Sequence, residues 1–294
     1  MFAAATAAEK RWFTAVTLAA VIAGALLISS FIRSGDRSVL CSLSSATTTT
    51  TTASSDDDDD NLLSTILHYA TTPVTPQQSL AEIRITYDVL RRSASPSGVN
   101  FLVFGLGHDS PMWSAFNQRG TTLFLEEDPK WFQIVLKKSP NLNAHSIEYP
   151  TRLVQARDLL SSYRSEPYCL PPKAFLRGNR RCRLALADLP REVYEREWDL
   201  IMIDAPKGYY KEAPGRMGAI FSAAVMARGR RSDGPTHVFV HDVNRRVERA
   251  FALEFLCKKN LVKGIGRLWH FVIHPVREGD ANRTAVDGGN GGFC

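Results

Sequence analysis

Three carboxylates stand where apolar runs end: Asp204 closes WDLIMID, Asp242 closes THVFVHD and Glu126 closes TTLFLE. Short apolar runs of this kind read as buried strands, and in open α/β sheets ligands bind outside the carboxyl ends of the strands. Lys207 follows Asp204 by three residues, so an acid and an amine meet at one strand end. His241 precedes Asp242 and offers an imidazole, a side chain able to take a proton, at the same strand end. Such a set suits moving a proton off a hydroxyl. Aspartates at strand ends also cap the helices that follow, but Lys207 beside Asp204 makes that simpler role the less attractive one.

The cofactor signal lies upstream. Gly105-Leu106-Gly107 removes side chains where a ligand must approach the backbone, and a helix N-terminus follows with unpaired N–H donors. Glu126 comes about twenty residues later, where a nucleotide-binding sheet places an acid for ribose hydroxyls. Gly105, Gly107, Glu126 and Asp204 therefore form a candidate adenosine-cofactor edge. NAD and S-adenosylmethionine both suit it. The segment GLGHDS is not a GxGxxG and leaves no pyrophosphate cradle; a sulfonium cofactor needs none, which tips the balance toward a methyltransferase.

The elements that must position these residues alternate. A helix is expected over 76–92 with Leu80, Ile83, Tyr87 and Leu90 on one face, then strand Phe101–Phe104 and a short helix through Trp113 and Phe116. Strand Thr121–Leu125 leads to a helix with Pro129 in its first turn. Strand His145–Tyr149, helix Leu153–Tyr163, strand Asp199–Ile203, a helix from about Gly215 to Arg228, strand His237–Val240 and helix Arg245–Lys258 follow. Leu261–Ile265 and Trp269–Ile273 close the chain as an antiparallel edge pair. This order predicts a Rossmann-like, doubly wound, mostly parallel α/β sheet over residues 76–278, with a flexible tail at 279–294.

The first 75 residues differ in kind. Trp12 to Ile32 carries no charge and, at about 1.5 Å per residue, spans about 30 Å, the thickness of a bilayer core. Lys10 and Arg11 before it put residues 1–11 in the cytosol as the tail of a signal anchor. Six threonines (Thr47–Thr52) and five aspartates (Asp56–Asp60) mark residues 33–75 as an extended, solvated stem. Of five cysteines none has metal-ligand spacing; Cys169 and Cys182 bracket a Pro- and Arg-rich loop and can pair in an oxidising lumen or stay as thiols. Asn282-Arg283-Thr284 is a glycosylation sequon. The net charge of +6 survives the five-Asp run, so the folded part is more basic still. Arg177, Arg180, Arg181, Arg183, Arg216, Arg245 and Arg246 are candidates to meet an acidic polymer; a lumenal topology makes nucleic acid a poor partner.

Asp204-Ala205-Pro206-Lys207 resembles the Asp-x-x-Lys arrangement of cation-dependent O-methyltransferases of the catechol and caffeoyl-coenzyme A type. The resemblance implies that Asp204 and Asp242 hold a divalent cation which acidifies the acceptor hydroxyl while Lys207 takes its proton, with His241 as the rival base. That family's adjacent Asp-Asn pair is absent, and Asn244, two residues past Asp242, is the candidate third ligand. Over residues 76–275, FLVFGLGHDSPMW, TTLFLEEDPKW, SSYRSEPYCLP, EWDLIMIDAPKGYY, APGRMGAIFSAAVMAR, THVFVHDVNRRVE and GRLWHFVI are similar to the plant glucuronoxylan 4-O-methyltransferases, within the larger family of irregular-xylem proteins. That resemblance implies a class I S-adenosylmethionine-dependent methyltransferase, anchored in the Golgi membrane with its domain in the lumen. It further implies transfer to O4 of glucuronic acid on xylan, in company with a xylan-synthesis complex. Two other readings stay open: glucuronic acid on arabinogalactan as the acceptor, and a non-catalytic xylan-assembly protein, against which the GLGHDS and LEED segments speak.

Overall fold

The computed structural model describes residues 55–74, 76–93, 98–276 and 292–294. The charge-free span, the stem before Ser55 and the Asn282 sequon lie outside them. Among the described residues no helix is long and apolar enough to cross a membrane.

Strands β1 (Asn100–Phe104), β2 (Thr121–Glu126), β3 (Ala144–Ser146), β4 (Leu200–Ile203), β5 (Thr236–Val240), β6 (Leu261–Ile265) and β7 (Leu268–Ile273) form one sheet in the order β3-β2-β1-β4-β5-β7-β6. The first five are parallel, and β7 runs antiparallel to both β5 and β6, as expected of an edge pair. Strand order reverses between β1 and β4, the crevice where such sheets bind ligands.

Period-two alternation puts a core on each face. Leu102, Phe104, Ile201, Ile203, Val238 and Val240 point to one side. There they meet α5 (Ala156–Ser162), α7 (Met217–Arg228) and α8 (Arg246–Phe251), the last continuing as a wider turn over Ala252–Cys257. Phe101, Val103, Phe124, Leu200, Met202 and Phe239 point to the other, against α2 (Leu80–Ser93), α3 (Ser110–Phe116) and α4 (Pro129–Lys138). A short α6 (Arg191–Glu195) leads into β4. The doubly wound expectation is met.

Four local expectations change. Residues 55–71, assigned to an extended stem, form helix α1 (Ser55–Thr71). The Asp run dominates that stretch's composition, but Thr65 and Tyr69 lie one turn apart, and Tyr69 donates to His108 O at 2.6 Å beside α3. The buried face of α2 is Glu82, Ile85, Thr86, Val89 and Leu90, while Leu80 is 73% exposed. Glu82 is drawn inward because its carboxylate accepts from Ser79 N at 2.7 Å and Arg267 N at 2.6 Å. Strand β3 is three residues long, its pairing to β2 ending at Ser146. The chain's last residues are not a loose tail: Phe293 is buried against Phe221 and Phe255, and Cys294 bonds to Cys257. A second disulfide joins Cys169 to Cys182, so the Pro- and Arg-rich loop is closed.

Candidate functional site

Parallel pairing brings the ends of β1, β2, β4 and β5 to one edge. Gly105 follows β1 at φ +130, a region L side chains rarely adopt, and a Cβ there would lie 3.2 Å from Ala205 Cβ. The turn after β1 thus rests on the turn after β4. At Gly107 an added Cβ would sit 2.9 Å from Asp109 Oδ1.

Glu126 is not a free acceptor. Its Oε2 takes Leu106 N at 3.0 Å and its Oε1 takes Asp128 N at 2.9 Å, so it stitches the turn after β1 to the start of α4. Burial, with the charge of Glu127, pushes its carboxyl up. The neighbouring Glu127 accepts Lys207 N through Oε1 at 2.9 Å, but its Oε2 is buried with no partner. Tyr149 OH is buried and unpartnered too; burial, then the charges of Glu127 and Glu126, hold the phenol protonated. A buried acceptor and a buried donor left unpaired at one strand end are the kind of vacancy that ribose hydroxyls satisfy. With the glycine turn, these groups fit an adenosine cofactor.

Asp204 sits between the two halves of the sheet. Its Oδ1 accepts from His241 Nδ1 at 2.8 Å, its Oδ2 from Gln78 Nε2 at 3.1 Å, and Arg216 Nη2 stands 3.3 Å from Oδ1. Burial opposes the charge, but the His241 hydrogen bond and the Arg216 guanidinium outweigh it and hold the carboxyl well below the usual range. Asp242, at φ 59, is enclosed by three arginines: Arg267 Nη1 at 2.7 Å, Arg245 Nη2 at 2.8 Å and Arg216 Nη2 at 2.9 Å.

Arg216 joins these groups. Only 4% of its side chain is exposed, and it donates to the carbonyls of His241 at 2.7 Å and Pro206 at 3.3 Å and to Asp204 O, as well as to both aspartates. Its expected meeting with an acidic polymer is therefore replaced by an interior role, clamping the ends of β4 and β5.

Asp204, His241 and Asp242 do place ligand atoms within 4.8 Å of one another, the composition of a cation site. Asn244, the candidate third ligand, is exposed. Arg216, however, lies on both carboxylates. Its Nη2 is 3.3 Å from Asp204 Oδ1 and 2.9 Å from Asp242 Oδ2, so the guanidinium already occupies the space between the carboxylates that a bridging cation would need. As arranged, with Arg216 on both carboxylates and Arg245 and Arg267 on Asp242, these donors do not fit a divalent cation.

The expected bases are also engaged. Lys207 Nζ is 2.8 Å from Asp128 Oδ2, a hydrogen bond that raises the amine and keeps it an ammonium. His241 is 0% exposed; with Nδ1 given to the Asp204 carboxylate, its Nε2 has no hydrogen bond and lies 3.8 Å from Glu82 Oε1, within the core. It orients Asp204 from behind.

Asp109 was hidden in GLGHDS. It occupies the N-cap place of α3, yet its side chain makes no capping bond. Instead Oδ2 accepts from Trp113 Nε1 at 2.9 Å. Burial and the charge of Asp204 push its carboxyl up to about 6. A raised pKa means the folded state favours the acid form, so stability is lost as pH climbs through about 6. Asp109→Asn, which keeps the acceptor for Trp113, should raise the melting temperature of the cofactor-free protein at pH 8 by a few degrees. At pH 4.5 it should change little. Equal shifts at both pH values would mean that Asp109 carries no such charge.

Residues 81–271 match the model of the IRX15/IRX15L/GXM family. Arabinogalactan O-methyltransferase 1 of Arabidopsis thaliana is 56% identical over 289 residues, covering 97% of this chain and 98% of that protein. Glucuronoxylan 4-O-methyltransferase 1 of the same plant is 45% identical over 236 residues, 79% of each. A solved structure described as a putative caffeoyl-CoA O-methyltransferase from Staphylococcus aureus overlaps 73% of this chain and 99% of its own at 10% identity and a TM-score of 0.40, too remote to speak to function. The expected family is thus borne out while its glucuronoxylan branch is not singled out: the chain belongs to the IRX15/IRX15L/GXM family and is an O-methyltransferase.

Proposed function

We propose that this chain methylates O4 of glucuronic acid on arabinogalactan, using S-adenosylmethionine. The observation that carries the acceptor is the reach of the similarity: 56% identity across 97% of the chain to an arabinogalactan O-methyltransferase, against 45% across 79% to a glucuronoxylan enzyme. The sequence expectation of xylan becomes the second reading, favoured by its motifs alone.

S-adenosylmethionine supplies an electrophilic methyl group. In this reading the turn at Gly105 and Gly107 admits it, Glu127 Oε2 and Tyr149 OH pair with its ribose, and Glu126 holds the turn in shape. Asp204, kept ionised by His241 and Arg216, faces the cationic end. Excluding water from this edge strengthens each of those interactions. Trp12–Ile32 would anchor the chain in the Golgi membrane, and two disulfides suit an oxidising lumen; protease protection in sealed microsomes checks that placement.

The deciding assay gives the purified protein labelled S-adenosylmethionine and, separately, demethylated arabinogalactan and demethylated glucuronoxylan. Label on arabinogalactan, at a kcat/KM at least about tenfold above xylan, is the expected result. The reverse ratio would move the protein to the xylan reading, and label on neither would remove the proposal.

A further inference from the structure

The loop after β4 holds more than the active carboxylate. From Lys207 to Gly215 it is braced throughout: Gly215 N donates to Lys207 O at 2.9 Å and Ala213 N to Tyr210 O at 3.1 Å. Leu153 N and Val154 N donate to Ala213 O at 2.7 Å and Lys211 O at 3.1 Å, tying the loop to the segment before α5. Lys207 is fixed by Asp128 and Glu127. Yet this anchored loop turns Tyr209 and Tyr210 out to solvent, 67% and 45% exposed.

The two rings stand edge to face with centroids 5.2 Å apart. Arg245 Cζ lies 5.9 Å from the Tyr209 ring centroid, and the same guanidinium is held by Asp242 at 2.8 Å. Gly208 is compact of necessity, since a Cβ there would lie 2.4 Å from Glu248 Oε1. The rings therefore stand on a rigid base, five and six residues past Asp204.

Exposed aromatic faces on a fixed loop at the mouth of a site mark a ligand surface. The negative faces of the rings suit the polarised C–H groups of a pyranose. Exposed Lys211, next in the chain after Tyr210, supplies positive charge for a carboxylate, while Lys207 and Arg245 are held by Asp128 and Asp242. We propose that Tyr209 and Tyr210 form the acceptor platform, stacking on the sugars of a uronic-acid-bearing glycan while Lys211 receives its carboxylate. The inference rests on the methyltransferase reading for its acceptor class but not for its measurement, because glycan binding can be read without turnover.

The test uses the purified protein with Tyr209→Ala, Tyr210→Ala and the double substitution, alongside Tyr209→Phe/Tyr210→Phe. Binding to demethylated arabinogalactan and glucuronoxylan is measured by affinity electrophoresis, and S-adenosylmethionine affinity by calorimetry. Two stacking contacts, each worth about as much as an aromatic pair at about 0.5–1.5 kcal/mol, place the double alanine variant about 5- to 150-fold weaker for glycan. Its acceptor KM should rise by the same factor, with cofactor affinity and melting temperature held. The double phenylalanine variant should bind within about twofold of the parent, since the ring faces do the stacking. Unchanged glycan binding in the folded alanine variant overturns the platform, as does a phenylalanine variant as weak as the alanine one. If the parent protein binds glycan and transfers no methyl, the proposed activity fails while the platform is still judged by the same binding curves.

Discussion

Arg216→Met should be the most damaging single substitution in the domain. It removes a buried guanidinium that serves two carboxylates and three strand-end carbonyls at once. Breaking a buried ion pair from one side costs about 3–5 kcal/mol because the other charge is left uncompensated. Here Asp204 and Asp242 would face each other across the gap. We expect a loss of thermal stability of about 10 °C, read by calorimetry, with activity gone below the new transition. Because the freed carboxylates and His241 already have cation-site spacing, millimolar Mg²⁺ or Mn²⁺ should raise the melting temperature of the variant and leave the parent protein unmoved. A parent protein stabilised equally by those ions would show that guanidinium and metal coexist there.

Asp204→Asn should act on chemistry more than on folding. Asparagine keeps the shape, its Oδ1 can still accept from His241 and its Nδ2 can donate to a turned-over Gln78 amide, but it removes the charge at the point where strand order reverses. Loss of one preorganised electrostatic group costs about 10²- to 10³-fold in turnover. Turnover at saturating cofactor should fall in that range with the melting temperature within a few degrees. A variant of near-normal activity would place the essential charge elsewhere, with Asp109 the next to test.

These two residues also show what the sequence made legible. Asp204 could be found because a strand end is written in its neighbours: four apolar residues, LIMI, and then a carboxylate. The sheet followed from the same alternation, and β1, β2, β4, β5 and the antiparallel pair fall where the pattern puts them. Arg216 could not be found that way. It lies twelve residues beyond Asp204 and twenty-five before His241, and an arginine in a loop is by default a surface group; only the folded crossing of β4 and β5 shows that it is interior. The partner of Lys207 could not be read either, since spacing set it beside Asp204 while Asp128, to which it donates, follows β2. Glu127 and Tyr149 became visible as a pair of unsatisfied buried atoms, a property with no counterpart in a string of letters.

Cys257 and Cys294 close a ring that contains residues 258–293, and Phe293 anchors its end in the aromatic cluster with Phe221 and Phe255. The disulfide therefore keeps the peptide that follows residues 277–291 attached to the domain independently of the backbone between them. A proteolytic nick within that stretch leaves both pieces joined through sulfur, so the cut is silent on a non-reducing gel and appears when a reductant is added.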